Sequence, residues 1–306
     1  MRPGEAVESA VAPVAPAATV LLLRDSPARG RSGIEVLMTR RAAALAFMGG
    51  LWVFPGGRLD PADLTAPVPS PAGAHGRMLD AYTGEPLPAD LAHALHVTAC
   101  RETFEEAGVL LVRNSADGSP LAPAQLGVLT HRRAESESDA ASFVRLLEAE
   151  ALELETGRLV YWSHWVTPSA EKRRFDTRFF AVRLPPGQEA SVEEGELTQY
   201  AWLGEDDVRE RLACGEVRMA PPTLATLEDL WRCFARHGDL ETLLEAERAR
   251  PVPPILPKMI RTEAAVEVVM PWDAAYAALP GESGATWDRY PDELAALPSR
   301  RVLTRA

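Results

Sequence analysis

The run Arg101-Glu102-Thr103-Phe104-Glu105-Glu106-Ala107-Gly108-Val109 constrains this chain more than any other stretch, because as a helix it gathers three carboxylates and one guanidinium within about a turn and a half. At about 100° per residue, Glu102, Glu105 and Glu106 share one arc about 100° wide, while Val97, Cys100, Phe104 and Ala107 fall on the far side. One face is acidic and the other is packable. Carboxylates held this close raise one another's pKa, a cost that a hard divalent cation with oxygen ligands removes. The competing reading is a solvated charged face on a surface helix. Asp90 is expected to cap the helix and Gly108 to end it.

The company of this run separates the two readings. Upstream lies Val53-Phe54-Pro55-Gly56-Gly57, an apolar strand ending in glycines, where backbone can approach a ligand without side-chain interference. Together the glycine turn and the Arg-Glu-x-x-Glu-Glu-x-Gly helix resemble the signature of the Nudix hydrolases. The resemblance implies an α+β fold, an α/β/α sandwich with a mixed central sheet flanked by helices, here with a C-terminal helical and strand extension. It implies Glu102, Glu105 and Glu106 as ligands of Mg²⁺ or Mn²⁺, the Gly56 carbonyl as a further ligand, Gly57 beside the substrate, and Arg101 orienting Glu105. One position departs from the usual box: where a glutamate normally precedes the arginine by eight residues, this chain has His93. Asp63 stands at the glycine-to-acid spacing, but on the far side of a long insertion from Pro61 to Asp90.

Composition bounds the rest. The chain has 306 residues, 46% of them hydrophobic and 25% charged, which suits one large globular unit. A net charge of −12 argues against nucleic acid or an anionic membrane as partner. Cys100, Cys214 and Cys233 lack metal-type spacing and fit a reducing cytoplasm. No apolar run approaches the roughly 18 to 20 residues that span a bilayer. Residues 1–17 read as a flexible tail, 18–280 as one elaborated domain, 222–280 within it as the extension, and 281–306 as a second tail.

Local patterns give the element order. Ala18 to Leu23 and Ile34 to Thr39 read as a hairpin, with Trp52 to Phe54 as a third strand. The insertion reads as a loop with one helical turn. Leu110 to Val112 is expected as a strand and Ser142 to Leu154 as an amphipathic helix. Leu159 to Val166, Phe175 to Val182 and Tyr200 to Leu203 follow as strands. Helices are expected over Asp206 to Ala213, Thr223 to Arg236 and Leu240 to Ala249, and a last strand over Val266 to Met270.

The segment from Val36 through Arg40-Arg41 and Phe47-Met48-Gly49-Gly50 to the glycines is similar to the coenzyme A-directed Nudix branch. It is closest to the peroxisomal type, which also carries an insertion inside its box. That resemblance implies a small nucleotide-type substrate: coenzyme A or an acyl thioester, hydrolysed to 3′,5′-ADP and a 4′-phosphopantetheine. The alternatives are ADP-ribose, NADH or dinucleoside polyphosphates, and, from another class, a non-catalytic nucleotide-binding regulatory module. Arg40, Arg41, Arg173 and Arg174 can meet phosphates bidentately or simply solubilise strand ends. Relatives often draw a further acid from a later loop as base or further ligand, and Glu196 is preferred here over Glu193 and Glu194, the competing reading being a solvated acidic loop. His164 reads as a packed core histidine, and His93 and His96 face different directions. A homodimer is an assembly that the resemblance allows.

Overall fold

The structure, a computed structural model, describes residues 11–26, 33–45, 47–66, 77–133, 139–192, 197–262, 265–285 and 290–304. In chain order the strands are β1 Val14–Asp25, β2 Ile34–Arg41, β3 Trp52–Val53, β4 Gly56–Arg58, β5 Val112–Asn114, β6 Leu152–Leu154, β7 Val160–Val166, β8 Arg174–Arg183, β9 Leu197–Leu203, β10 Pro254–Ile255, β11 Lys258–Arg261, β12 Ala265–Val269 and β13 Arg300–Thr304. The helices are α1 Ala89–Ala107, α2 Pro123–His131, α3 Ala140–Ala149, α4 Glu205–Ala213, α5 Pro221–His237, α6 Leu240–Glu247 and the short α7 Asp292–Ala295.

β1 organises the molecule. Its run Val20-Leu21-Leu22-Leu23 is apolar on both faces, the pattern of a strand covered from both sides. Side chains alternate across the sheet. Val20 and Leu22 join Phe104 of α1, Phe143 of α3 and Phe180 of β8 in one core. Leu21 and Leu23 join Trp162, Leu230 and Cys233 in the other, under α5 and α6. The result is the expected three-layer α/β/α arrangement. The main sheet runs β10-β7-β8-β1-β2-β3, with β4 also on β1 and β9 also on β2. β1 and β8 pair in parallel from Val14↔Arg174 to Leu23↔Arg183, and the β1–β2 hairpin is antiparallel around Leu23↔Val36.

Several expectations need correction. The first tail is shorter than read, because Val14 to Ala17 already belong to β1. The second is no tail in its described part: β13 pairs with β12 from Ala265↔Thr304 to Val269↔Arg300, and Arg301 is tied to Glu228 at 2.6 Å. The helix expected from Ser142 to Leu154 ends at Ala149, because Ala151 takes positive φ and Leu152–Leu154 pairs with β5. The strand expected at Leu110 to Val112 is displaced onto Val112–Asn114. Asp90 lies inside the first turn of α1, with Pro88 at the cap position. Gly108 ends the helix as expected, at φ 66°.

The insertion opens with a helical turn, the 3-10 helix Pro61–Thr65, and residues 67–76 lie outside the described ones. Its second half is fastened to the sheet. Arg178 of β8 donates to the Leu79 carbonyl at 2.8 Å, and Arg174 donates to Tyr82 Oη at 2.9 Å. The Ala285 amide donates to the Ala81 carbonyl at 2.7 Å, so the C-terminal extension clasps the same segment from outside. Met78 and Ala81 are fully buried there.

Candidate active site

The acidic face of α1 lies against the glycine turn, as the helical periodicity demands. Val97, Cys100, Phe104 and Ala107 are buried in the core beneath α1, which turns Glu102, Glu105 and Glu106 toward β4. β4 can come this close only because it is glycine. A Cβ on Gly56 would sit 2.5 Å from the Ala18 carbonyl oxygen of β1, and one on Gly57 would sit 2.4 Å from Glu102 Oε1. The Gly56 amide donates to Glu106 Oε2 at 2.9 Å. It is this amide that the structure sets beside the acid, where the sequence directed attention to the carbonyl.

Arg101 is the hub. Its Nη1 donates to Glu102 Oε1 at 2.8 Å and to Glu105 Oε2 at 2.7 Å. Its other edge forks onto Asp63, Nε to Oδ1 at 2.9 Å and Nη2 to Oδ2 at 3.0 Å, and Nη2 also reaches the Arg58 carbonyl at 3.1 Å. Asp63 is the acid whose role the sequence left open. It is fully buried, accepts from Thr98 Oγ1 at 2.8 Å, and closes a reciprocal cap with Asp60, whose amide it accepts at 3.0 Å. The turn Pro61–Thr65 therefore carries Asp63 back to the helix across the whole insertion, and His93 takes no part in the Arg101 fork. The signal was present as the glycine-to-acid spacing; chain distance obscured it.

The electrostatics follow from this count of charges. Arg101 is held charged by Asp63, Glu102 and Glu105 despite its burial. One cation is shared by three acids, and Glu105 is left under-compensated. Burial pushes its carboxyl up to about 8, Glu102 adds to the rise, and Arg101 opposes it. Glu105 Oε1 is buried with no hydrogen-bond partner. Among the described residues no three acids, histidines or cysteines are drawn together around one point; Glu102 and Glu105 converge on Arg101, and Glu106 on the Gly56 amide. The donor set nonetheless suits a hard cation: all oxygens, an excess of negative charge, and one buried carboxylate oxygen left without a donor.

The remaining expected residues lie elsewhere. Arg40 and Arg41 end β2, where Arg40 pairs across the strands with Trp52 and donates to Gln199 Oε1 at 3.3 Å. Arg173 is exposed just before β8. Arg174 is buried, and its donors go to Ala12 O, Thr167 O, Tyr82 Oη and Glu282, so it braces the fold. Glu193, Glu194 and Glu196 lie outside the described residues. His164 is buried as read, but it is also bonded to Asp176 at 2.5 Å, and Asp176 pairs with Arg178 at 2.5 Å. Burial raises the Asp176 carboxyl, and His164 and Arg178 outweigh that to hold it at about 2, while burial and Arg178 keep His164 below the usual histidine range. His96 is buried with its Nδ1 2.8 Å from the Ala92 carbonyl. No helix of the described residues is long and apolar enough to cross a membrane.

Comparison with known proteins bears on the fold and the family. The family model of the NUDT19 Nudix domain matches residues 67–230, more than half of the chain. The acyl-coenzyme A diphosphatase NUDT19 of Gallus gallus is 29% identical, over 67% of this chain and 65% of that protein, so the chain spans slightly under two thirds of that relative. The human protein of the same name is also 29% identical, over 83% of this chain and 74% of its own length. Among solved structures, a NUDIX hydrolase from Alicyclobacillus acidocaldarius superposes with a TM-score of 0.59 at 30% identity, covering 77% of this chain and 97% of the other. With the glycine turn, the acidic helix and the fold all in place, the chain belongs to the Nudix hydrolase family.

Proposed function

We propose that this protein hydrolyses the pyrophosphate of coenzyme A or an acyl-coenzyme A, with Mg²⁺ or Mn²⁺, to 3′,5′-ADP and the (acyl-)4′-phosphopantetheine. The carrying observation is Glu105 Oε1, a buried oxygen without a donor at a site where three acids, Asp63, Glu102 and Glu105, share one arginine and Glu106 is held by the Gly56 amide. The coenzyme A class is supported by the relatives, which carry that activity in their names at 29% identity.

A divalent cation held by Glu102, Glu105 and Glu106 would neutralise phosphoryl oxygens and lower the pKa of the attacking water. The chain's own groups have separate tasks. Arg101 holds Glu102 and Glu105 in place through one nitrogen while Asp63 fixes its other edge. The Gly56 amide sets Glu106. Gly57 presents bare backbone where the pyrophosphate would lie. Arg40, Arg41 and Arg173 are the cations proposed for the substrate's phosphates, and Arg174 is left out because its donors are engaged inside the fold. Glu196 remains the proposed base. It would take the proton from water as the oxygen joins one phosphorus and the bridging P–O bond breaks.

The test is a panel of coenzyme A, acyl-coenzyme A, ADP-ribose, NADH and diadenosine polyphosphates with each metal, products being identified by mass spectrometry in isotopically labelled water. Coenzyme A species should turn over fastest. Preference for ADP-ribose, NADH or a dinucleotide would reject the substrate assignment. Glu106→Gln should lower turnover by about three decades, since a metal-polarised phosphoryl group contributes several kcal/mol. Near-normal turnover in that variant would reject the metal site.

A further inference from the structure

The C-terminal end of α1 is closed by groups from distant parts of the chain. Two of its last carbonyls are satisfied locally, Phe104 by the Gly108 amide at 2.9 Å and Thr103 by Val109 at 3.4 Å, as in a helix ended by glycine. The Ala107 carbonyl instead accepts from the Ser191 amide at 2.9 Å. The Glu105 carbonyl accepts from Arg133 Nε at 2.6 Å, and the same guanidinium reaches the Ser191 carbonyl through Nη1 at 2.9 Å. Arg133 stands two residues beyond α2 and is only 2% exposed. Gly108 is required for this approach, because a Cβ there would lie 2.6 Å from Ser191 Oγ. A second tether runs alongside: the Gln188 amide side chain bonds both ways with Leu110, at 2.9 and 2.7 Å.

We propose that Arg133 is a positioning residue that fixes the last turn of α1, and with it the Glu105 and Glu106 carboxylates, against the Ser191 segment. A planar guanidinium can hold two carbonyls at a set separation, which an ammonium cannot. Its charge is also favourable at a helix C-terminus, where unsatisfied carbonyls concentrate negative potential. The Glu105 carbonyl and side chain belong to one residue, so loosening the first displaces the second. Constellations of this kind tolerate only about 0.5 Å. The inference rests on the reading of the acidic face as a metal site.

The experiment is a Mn²⁺ titration of the full chain without substrate, followed by electron paramagnetic resonance, on Arg133→Ala, Arg133→Lys and Gln188→Ala. Arg133→Ala should weaken Mn²⁺ binding about tenfold, the lower end for residues that orient ligands. Its kcat should fall in step, with KM within about twofold. Arg133→Lys should recover only part of the affinity. Gln188→Ala should lower Tm yet leave Mn²⁺ affinity intact, because it spares the Glu105 carbonyl. Unchanged affinity in Arg133→Ala, or an equal loss in Gln188→Ala, overturns the inference. If Arg133→Ala fails to fold, Arg133→Lys decides, and wild-type affinity there overturns it. No Mn²⁺ binding by the unsubstituted protein would overturn both this inference and the metal reading.

Discussion

Truncating Asp63 isolates the part of the site that the insertion supplies. In Asp63→Ala, Arg101 loses a fork made at 2.9 and 3.0 Å, and the Thr98 hydroxyl and Asp60 amide lose an acceptor, all at a fully buried position. Removing one partner of a buried pair typically costs about 3–5 kcal/mol, because the other charge stays behind. Arg101 keeps Glu102 and Glu105, which puts the expected loss at the low end, about 3 kcal/mol. With a urea slope of about 3 kcal/mol/M, the midpoint should fall by about 1 M at unchanged slope. The double variant Asp63→Ala/Arg101→Met removes the stranded charge as well, and should lose clearly less than the sum of the single variants. A loss below about 1 kcal/mol in Asp63→Ala, or strict additivity in the cycle, would refute the assignment of Asp63 as the anchor of Arg101.

Three further outcomes follow from the same geometry. Gly57→Ala forces its methyl onto Glu102 Oε1, a 2.4 Å approach, so turnover should fall at least about tenfold while Tm changes little, the displaced group being a flexible side-chain end. For Glu105, the folded-state pKa of about 8 lies above the ordinary carboxylate value, so in metal-free protein its contribution to stability is intact near pH 4.5 and is lost as pH rises through 8. Calorimetry of metal-free Glu105→Gln should show it gaining on the wild type across that window, by up to about 5 kcal/mol at 1.36 kcal/mol per pH unit; a constant difference would contradict the burial argument. His164 has the opposite sense. Its pKa is lowered by burial, so the stability that goes with its neutral form is present above about pH 6.5 and is lost as pH falls. His164→Gln should flatten the denaturant midpoint between pH 7 and pH 5.5, and an unaltered slope would exclude His164 as its source.

The parts of the fold that were legible in sequence are those governed by local periodicity. The far face of α1, from Val97 to Ala107, reached the core as a period of 3.6 requires, and the apolar run around Leu22 became a strand covered on both faces. What escaped depends on partners remote in the chain. Leu152 to Leu154 continues an apolar pattern smoothly from α3, and only pairing with β5 makes it a strand. β13 looks like a polar end until β12 is beside it. Arg174 carries no mark in sequence to distinguish a bracing guanidinium from a phosphate-binding one; four partners spread from Ala12 to Glu282 decide it. Arg133 likewise belongs to no motif.

The parallel pairing of β1 with β8 bears on how the chain folds. Val14 finds Arg174 across 160 residues, so the edge of β1 that faces β8 stays open until more than half of the 306 residues exist. The β1–β2 hairpin can close early, but it closes only one side. At synthesis rates of about 5–20 residues per second, that hydrophobic edge is uncovered for roughly 8 to 30 s, a window in which strand edges recruit other chains. Pairings this distant also slow refolding from denaturant, because loop closure precedes any gain in contacts. Fragments ending before Arg174 should therefore aggregate, whereas the complete chain should refold slowly and in higher yield when dilute.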